Sequence, residues 1–181
     1  MTYILYGTGL EEIEAITVAD ILRRAQIPMQ TVGIGGREIT GAHGLVLKTD
    51  ITVEEMDTDA MECIVLPGGM GGVEAIEGSP AAMTALDRAY ASDCVIAAIC
   101  AAPCILGRKG WLDGKKAVCY PTMEQGLGNA IPQPDAAAVV DGRFVTGRAP
   151  GAAMEFALTL TEVLAGREKA DLVSRFLVYD R

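Results

Sequence analysis

The sequence is poor in histidine, in aromatics and in basic charge. A single histidine, His43, stands among 181 residues, with three phenylalanines, one tryptophan and five tyrosines. One histidine cannot make a histidine cluster, and the five cysteines show no C-x-x-C spacing, so no metal site is expected. Lys and Arg number 15 against 24 Asp and Glu, a formal net charge of -9. Nucleic acid and anionic membranes both require a basic footprint, so neither is expected as a partner. No basic n-region or long apolar run opens the chain, and neither a signal peptide nor a membrane span is expected. Irregularly spaced cysteines in a chain of this length read as reduced thiols of a cytoplasmic protein, not as a disulfide framework. What is present is a globular balance of 50% hydrophobic and 22% charged residues. It is enough for one domain spanning 1–181 with a sizeable core.

Short apolar runs alternate with helix-period segments. "TYILYGTG" reads as a buried strand ending in a Gly-rich turn. "LEEIEAITVADILRRAQ" follows as a helix, with Ile13, Ile16, Val18, Ile21 and Leu22 at helical spacing and acidic residues in the first turn. "MQTVGIGG" is a second strand, "EITGAHGLVLKTDIT" a small antiparallel excursion, and "ECIVLPGG" a third core strand. Ser79 and Pro80 mark the N-cap and first position of the helix "SPAAMTALDRAYAS". "CVIAAI" is the next strand and "AAPCILGRKG" the helix after it. "KAVCY", "AAAVVDG" and "RFVTG" are short strands, and "PGAAMEFALTLTEVLAG" is a closing helix stopped by Gly166. Such alternation predicts βαβ units and one doubly wound, mostly parallel sheet covered by helices.

Sites in open α/β sheets form beyond the carboxyl ends of the strands. Here those ends carry "YGTGLEEIEA", "LPGGMGG" and "AAICAAP". "GTGLEE" lacks a third glycine, and its acidic residues would repel phosphate; "PGGMGG" lacks a following Lys-Ser/Thr. Nucleotide binding is therefore disfavoured and no cofactor is expected. In "AAICAAP", a buried strand, one nucleophile and small residues opening a helix have the layout of a nucleophile elbow centred on Cys100. A helix N-terminus behind the sulfur would lower the thiol pKa. Free cysteines are also commonly buried and inert, and spacing alone leaves both readings open.

"GLEEIEA", "LRRA", "IVLPGG", "AAICAAP" and "RAPGAAMEFAL", in that order along nearly the whole chain, resemble the ThiJ/PfpI superfamily. The resemblance is to the branch of the parkinsonism-associated deglycase and its bacterial relatives. It implies a flavodoxin-like sandwich of the class I glutamine amidotransferase-like type, and a homodimer. It also implies Cys100 as nucleophile and Glu14 as the carboxyl group hydrogen-bonded to it. Amides of Gly68 and Gly69, with that of Ala101, would be donors to a developing oxyanion. Arg23 and Arg24 match paired arginines near the family's dimer contact, and Arg148 matches a loop-tying arginine. Where many members carry a histidine, this chain has Tyr120, a possible substrate contact. Without that histidine, peptidase or amidase chemistry lacks its usual general acid.

A glutamate facing a thiolate should be protonated, able to donate to sulfur and to shuttle a proton. The implied activity is therefore addition of Cys100 to a small reactive aldehyde or its adducts, in the manner of a glyoxalase or deglycase. The alternative of another class is a redox sensor or chaperone-like protein switched by Cys100 oxidation. Cys119 is weighed as a resolving thiol against a packed one; Cys63, Cys94 and Cys104 read as core.

Overall fold

The computed structural model describes residues 1–180. Eleven strands and six α-helices follow one another as β1 (Thr2–Tyr6), α1 (Glu12–Arg24), β2 (Met29–Gly33), β3 (Glu38–Thr40), β4 (Val46–Lys48), β5 (Ile51–Thr52) and β6 (Cys63–Leu66). Next come α2 (Met70–Gly78), α3 (Pro80–Ala91), β7 (Val95–Ile99), α4 (Pro103–Arg108) and β8 (Lys116–Ala117). The chain ends with β9 (Ile131–Pro132), β10 (Ala138–Asp141), β11 (Phe144–Gly147), α5 (Ala153–Ala165) and α6 (Arg167–Phe176).

Seven strands form the central sheet in the order β10-β11-β7-β6-β1-β2-β5. All neighbours are parallel except β10, which runs antiparallel to β11 at one edge. β1 and β6 are buried at every position, and β7 at every position after Val95. That is why these three runs are continuously apolar rather than alternating: helices cover both faces of a parallel strand. α1 packs on α5 and α5 on α6, while α3 packs on β6 and β7. This is the flavodoxin-like arrangement, with β1, β6 and β7 adjacent in the middle of the sheet. Their carboxyl ends therefore open onto one place.

Several elements differ from the sequence reading. α2 is a helix although "MGGVEAIEG" is rich in glycine, the poorest helix former after proline. Close packing compensates, because a Cβ on Gly71 would fall 3.0 Å from Gly9 Cα and one on Gly72 2.8 Å from Leu10 Cα. α5 does stop at Gly166, whose φ is +86°, but a further amphipathic helix, α6, starts directly after it. "KAVCY" pairs as a strand only over β8; beyond it, Val118 donates its amide to Thr146 Oγ1. In α1, Ile13 and Ile16 face solvent, 57% and 42% exposed, and the core stripe is Ala15, Val18, Ile21 and Leu22.

Candidate functional site

Three turns meet at the centre of the sheet. After β1 the chain turns through Gly9, φ +81°, and the Glu11 amide donates to the Gly68 carbonyl at 3.0 Å. This pins the start of α1 against the end of β6 and aims Glu14, on the first turn, inward. Glu14 has no exposed surface at all. After β6 comes Pro67-Gly68-Gly69, and after β7 comes Cys100, which holds φ at +67°. A non-glycine residue in the left-handed region costs roughly 1–2 kcal/mol, and such strain gathers at functional sites. The Cys100 backbone is held from both sides: its amide donates to Gly147 O at 2.9 Å and its carbonyl accepts from the Tyr120 amide at 2.8 Å. The elbow read from "AAICAAP" is present as a backbone conformation.

Gly68 joins the thiol to the carboxyl group. Its amide donates to Glu14 Oε2 at 2.7 Å. A Cβ at this position would meet Cys100 Cβ at 2.6 Å, Glu14 Oε2 at 2.7 Å and Cys100 Sγ at 3.0 Å, so only glycine fits. The Gly68 amide is thus committed to Glu14 and does not serve as an oxyanion donor, which corrects the sequence reading. The backbone groups that reach the Cys100 sulfur belong to Gly69 and Ala101. Glu14 Oε1 is buried with no conventional hydrogen-bond partner, and the Cys100 thiol stands beside the carboxyl group.

Burial pushes Glu14 up to about 7, against the pull of the Gly68 amide and the Cys100 thiol. Burial likewise pushes the Cys100 thiol up, to about 12, and the neighbouring negative charge of Glu14 adds to it; the Gly69 and Ala101 backbone opposes both. The expected acidic thiol is therefore corrected. α4 begins only at Pro103 and has six residues, too little dipole to outweigh desolvation and an adjacent carboxylate. At rest the pair is a thiol beside a carboxyl group poised near neutrality.

Cys100 opens onto a cleft of about 350 Å³ lined by Gly69, Met70, Cys100, Ala101, Tyr120, Thr122 and Met123. Tyr120 does line it, with Thr122 held at φ +76° in the same wall. His43 does not. It lies on an exposed loop, its Nδ1 2.9 Å from Glu12 Oε2, in a separate depression with Glu11, Ile13, Leu45 and Pro150. Glu11, Glu12 and His43 are the one cluster of metal-capable groups among the described residues. The Glu12 carboxylate there already accepts from the His43 amide and ring and from the Leu45 amide, which leaves it spoken for. Arg23 pairs with Asp50 and Arg24 with Asp20, both on the surface. Arg148 is tied to the 134–137 segment through Ala137 O and Pro134 O. Sequence reasoning missed Met70 and Met123 as cleft walls. Met70 belongs to the unforeseen α2, and Met123 to a loop with no periodic signal.

The sequence profile of the DJ-1/PfpI family matches residues 2–163. Protein dj-1beta of Drosophila melanogaster is 37% identical over 177 residues, covering 97% of this chain and 95% of that protein. The glutathione-independent glyoxalase DJR-1.2 of Caenorhabditis elegans is 29% identical over 161 residues, covering 89% and 86%. The crystal structure of Drosophila melanogaster DJ-1beta superposes with a TM-score of 0.94 at 35% identity, over 99% of this chain and 98% of that one. A cysteine-to-alanine mutant of a DJ-1 superfamily protein from Salmonella typhimurium gives 0.92 at 30% identity, over 99% and 98%. No helix among the described residues is long and apolar enough to cross a membrane.

Proposed function

This chain belongs to the DJ-1/PfpI family, and we propose that its Cys100–Glu14 pair converts small α-oxoaldehydes to α-hydroxyacids without a dissociable cofactor. The observation that carries this reading is the carboxyl group of Glu14, wholly buried and beside the thiol on the strained elbow. The naming of a relative as a glutathione-independent glyoxalase supports it.

The chemistry needs one nucleophile and one group that can hold a proton in turn. As Cys100 Sγ adds to the aldehyde carbon, its proton passes to the Glu14 carboxylate, which is half ionised near pH 7. The aldehyde oxygen then carries the negative charge, and the amides of Gly69 and Ala101 are the donors on that side of the sulfur. Glu14 hands the thiol proton to that oxyanion, which gives the neutral hemithioacetal and frees the carboxylate. The carboxylate then takes the proton from the hemithioacetal carbon and returns it to the neighbouring carbon, while the hydroxyl proton moves from the first oxygen to the second, and the product is the thioester of the hydroxyacid. Water then cleaves the thioester, giving the hydroxyacid and regenerating the thiol. Overall, one aldehyde and one water become one hydroxyacid, with no net oxidation. Acyl transfer from a peptide would require protonation of an amine leaving group, and no imidazole lines this cleft.

A homodimer is part of the proposal. Ile13 and Ile16 of α1 and Leu45 and Val46 near β4 are exposed, and Ile13 and Leu45 line the same depression. This exposed apolar patch supports the α1–β4 face as the dimer contact.

The test is lactate formation from methylglyoxal. Turnover by the wild type that falls by at least a hundredfold in Cys100→Ala and in Glu14→Gln supports the reading. A wild type that never turns over, or turnover that survives Cys100→Ala, overturns it.

A further inference from the structure

The carbonyl chemistry uses only the inner end of the Cys100 cleft. The sulfur, the Gly69 and Ala101 backbone beside it and the Glu14 carboxyl group act on two carbons and their oxygens. The cleft extends beyond them. It holds about 350 Å³, room for roughly a dozen waters at about 30 Å³ each. Methylglyoxal, with five non-hydrogen atoms, fills only about a third of that space. The rest is walled by the side chains of Met70, Tyr120 and Met123, with Thr122 between the last two. No residue lining the cleft is an acid or a base of the Asp, Glu, Lys, Arg or His kind. Met70 and Tyr120 are 58% and 45% exposed, so apolar surface is left here for a bound group to cover.

These walls are fixed by the backbone that fixes the thiol. Met70 opens α2 directly after Gly69, whose φ of +82° sets the direction of the chain there. The Tyr120 amide donates to Cys100 O at 2.8 Å, and the Met123 amide donates to Tyr120 O at 3.0 Å. One tight turn therefore runs from the elbow to Met123. Thr122 lies inside it at φ +76°, its amide donating to Glu124 Oε1 at 3.2 Å. The tyrosine ring and both thioethers thus stand at set positions relative to the sulfur. Methionine is unbranched and polarizable, and its sulfur makes favourable contacts with aromatic rings. Two methionines and a tyrosine make a wall suited to a flat apolar group.

We propose that the cleft selects α-oxoaldehydes whose keto carbon bears an aryl or long alkyl group over methylglyoxal, and that Met70, Tyr120 and Met123 set this preference. The selection presupposes the carbonyl chemistry of Cys100. With the aldehyde carbon held at the sulfur, the substituent on the keto carbon is the part left to occupy the outer cleft. An apolar substituent covers the thioethers and the ring. A phosphate or carboxylate there would lose water and meet no cation among the lining residues. An apolar pocket discriminates roughly tenfold or more for each methylene it buries. A phenyl group in place of methyl should therefore raise kcat/KM at least tenfold. The atoms balance as for methylglyoxal: one phenylglyoxal and one water give one mandelic acid, and the thiol is regenerated.

The experiment has two readouts, in wild type, Met70→Ser and Met123→Ser. The first is kcat/KM for phenylglyoxal and for methylglyoxal, read as mandelate and lactate. The ratio should be at least ten in wild type and fall at least fivefold in each variant; the intrinsic reactivities of the two aldehydes cancel when the proteins are compared. The second needs no turnover. Cys100 is alkylated with iodoacetamide and with its N-phenyl analogue iodoacetanilide, and both rates are referred to those of N-acetylcysteine. Wild type should favour the phenyl reagent at least tenfold more than the free thiol does, and both variants less so. A protein that turns over methylglyoxal but shows neither preference, or whose preferences survive both substitutions, overturns the selection alone. A protein that favours the phenyl reagent yet turns over neither aldehyde overturns the carbonyl reading, and with it the substrate class.

Discussion

Replacing Glu14 by glutamine should make the protein more stable above neutrality while removing its activity. The carboxyl group is fully buried, and its ordinary value of 4.5 is raised to about 7, burial being the largest cause. At ~1.4 kcal/mol for each factor of ten, the charged form is disfavoured in the fold by ~3 kcal/mol. The sign follows from proton linkage. Between 4.5 and about 7 the folded state holds a proton that the unfolded state has released, so stability falls as pH rises through this window. Below it the group contributes no penalty, and above it the whole penalty is present. Glutamine has the same shape, its carbonyl can accept the Gly68 amide, and it never ionises. Wild type and Glu14→Gln should therefore melt alike near pH 4.5 and diverge by ~3 kcal/mol at pH 8. For a chain of this size that is on the order of 6–12 °C in melting temperature. The comparison is made between the two proteins at each pH, because Glu12, Asp50, Glu55 and Glu62, all held below their ordinary values, shift both curves together. Calorimetry across pH 4.5–8.5 provides the measurement. Melting temperatures that coincide at pH 8, or a variant that is less stable there, would refute the argument that a buried charge at Glu14 is carried at the expense of the fold.

The same carboxyl group should be visible in the reactivity of its neighbour. Iodoacetamide alkylation of Cys100 should rise with an inflection near pH 7 in wild type, as Glu14 becomes able to take the thiol proton. In Glu14→Gln the rate should climb without that inflection toward the alkaline titration of the thiol itself; an unchanged inflection would assign it to another group. Gly68→Ala tests the close approach. A methyl group 2.6 Å from Cys100 Cβ has no room, so the turn must shift, with methylglyoxal turnover expected to fall at least tenfold while the circular dichroism spectrum stays native. Turnover within twofold of wild type would show that the Gly68 contact does not position the pair.

What could be read from the sequence was whatever is decided locally. The apolar run 95–99 ending on Cys100 predicts a buried strand with a nucleophile at its tip, and the backbone indeed turns there at φ +67°. Ser79 and Pro80 mark the start of α3, and the Ser79 hydroxyl accepts from the Ala82 amide as an N-cap should. The readings that changed are those decided by groups far apart in the chain. Glu11, Glu12 and Glu14 share one helical turn and one chemistry, and no periodicity separates them. Glu12 is buried under a hairpin that supplies three donors, and Glu14 under a turn that supplies one. That difference decides which carboxyl group stays ionised and which is poised to exchange a proton. The Gly68 amide was assigned to substrate because the motif places it near the thiol, whereas its direction is set by Glu14. The thiol was expected to be acidic because a helix follows it. Desolvation outweighs a six-residue helix, and a carboxylate at contact outweighs it again. In this chain the sequence identifies which residues are reactive in kind. The three-dimensional neighbours then decide which proton each one holds, and it is those protons on which the proposed carbonyl chemistry depends.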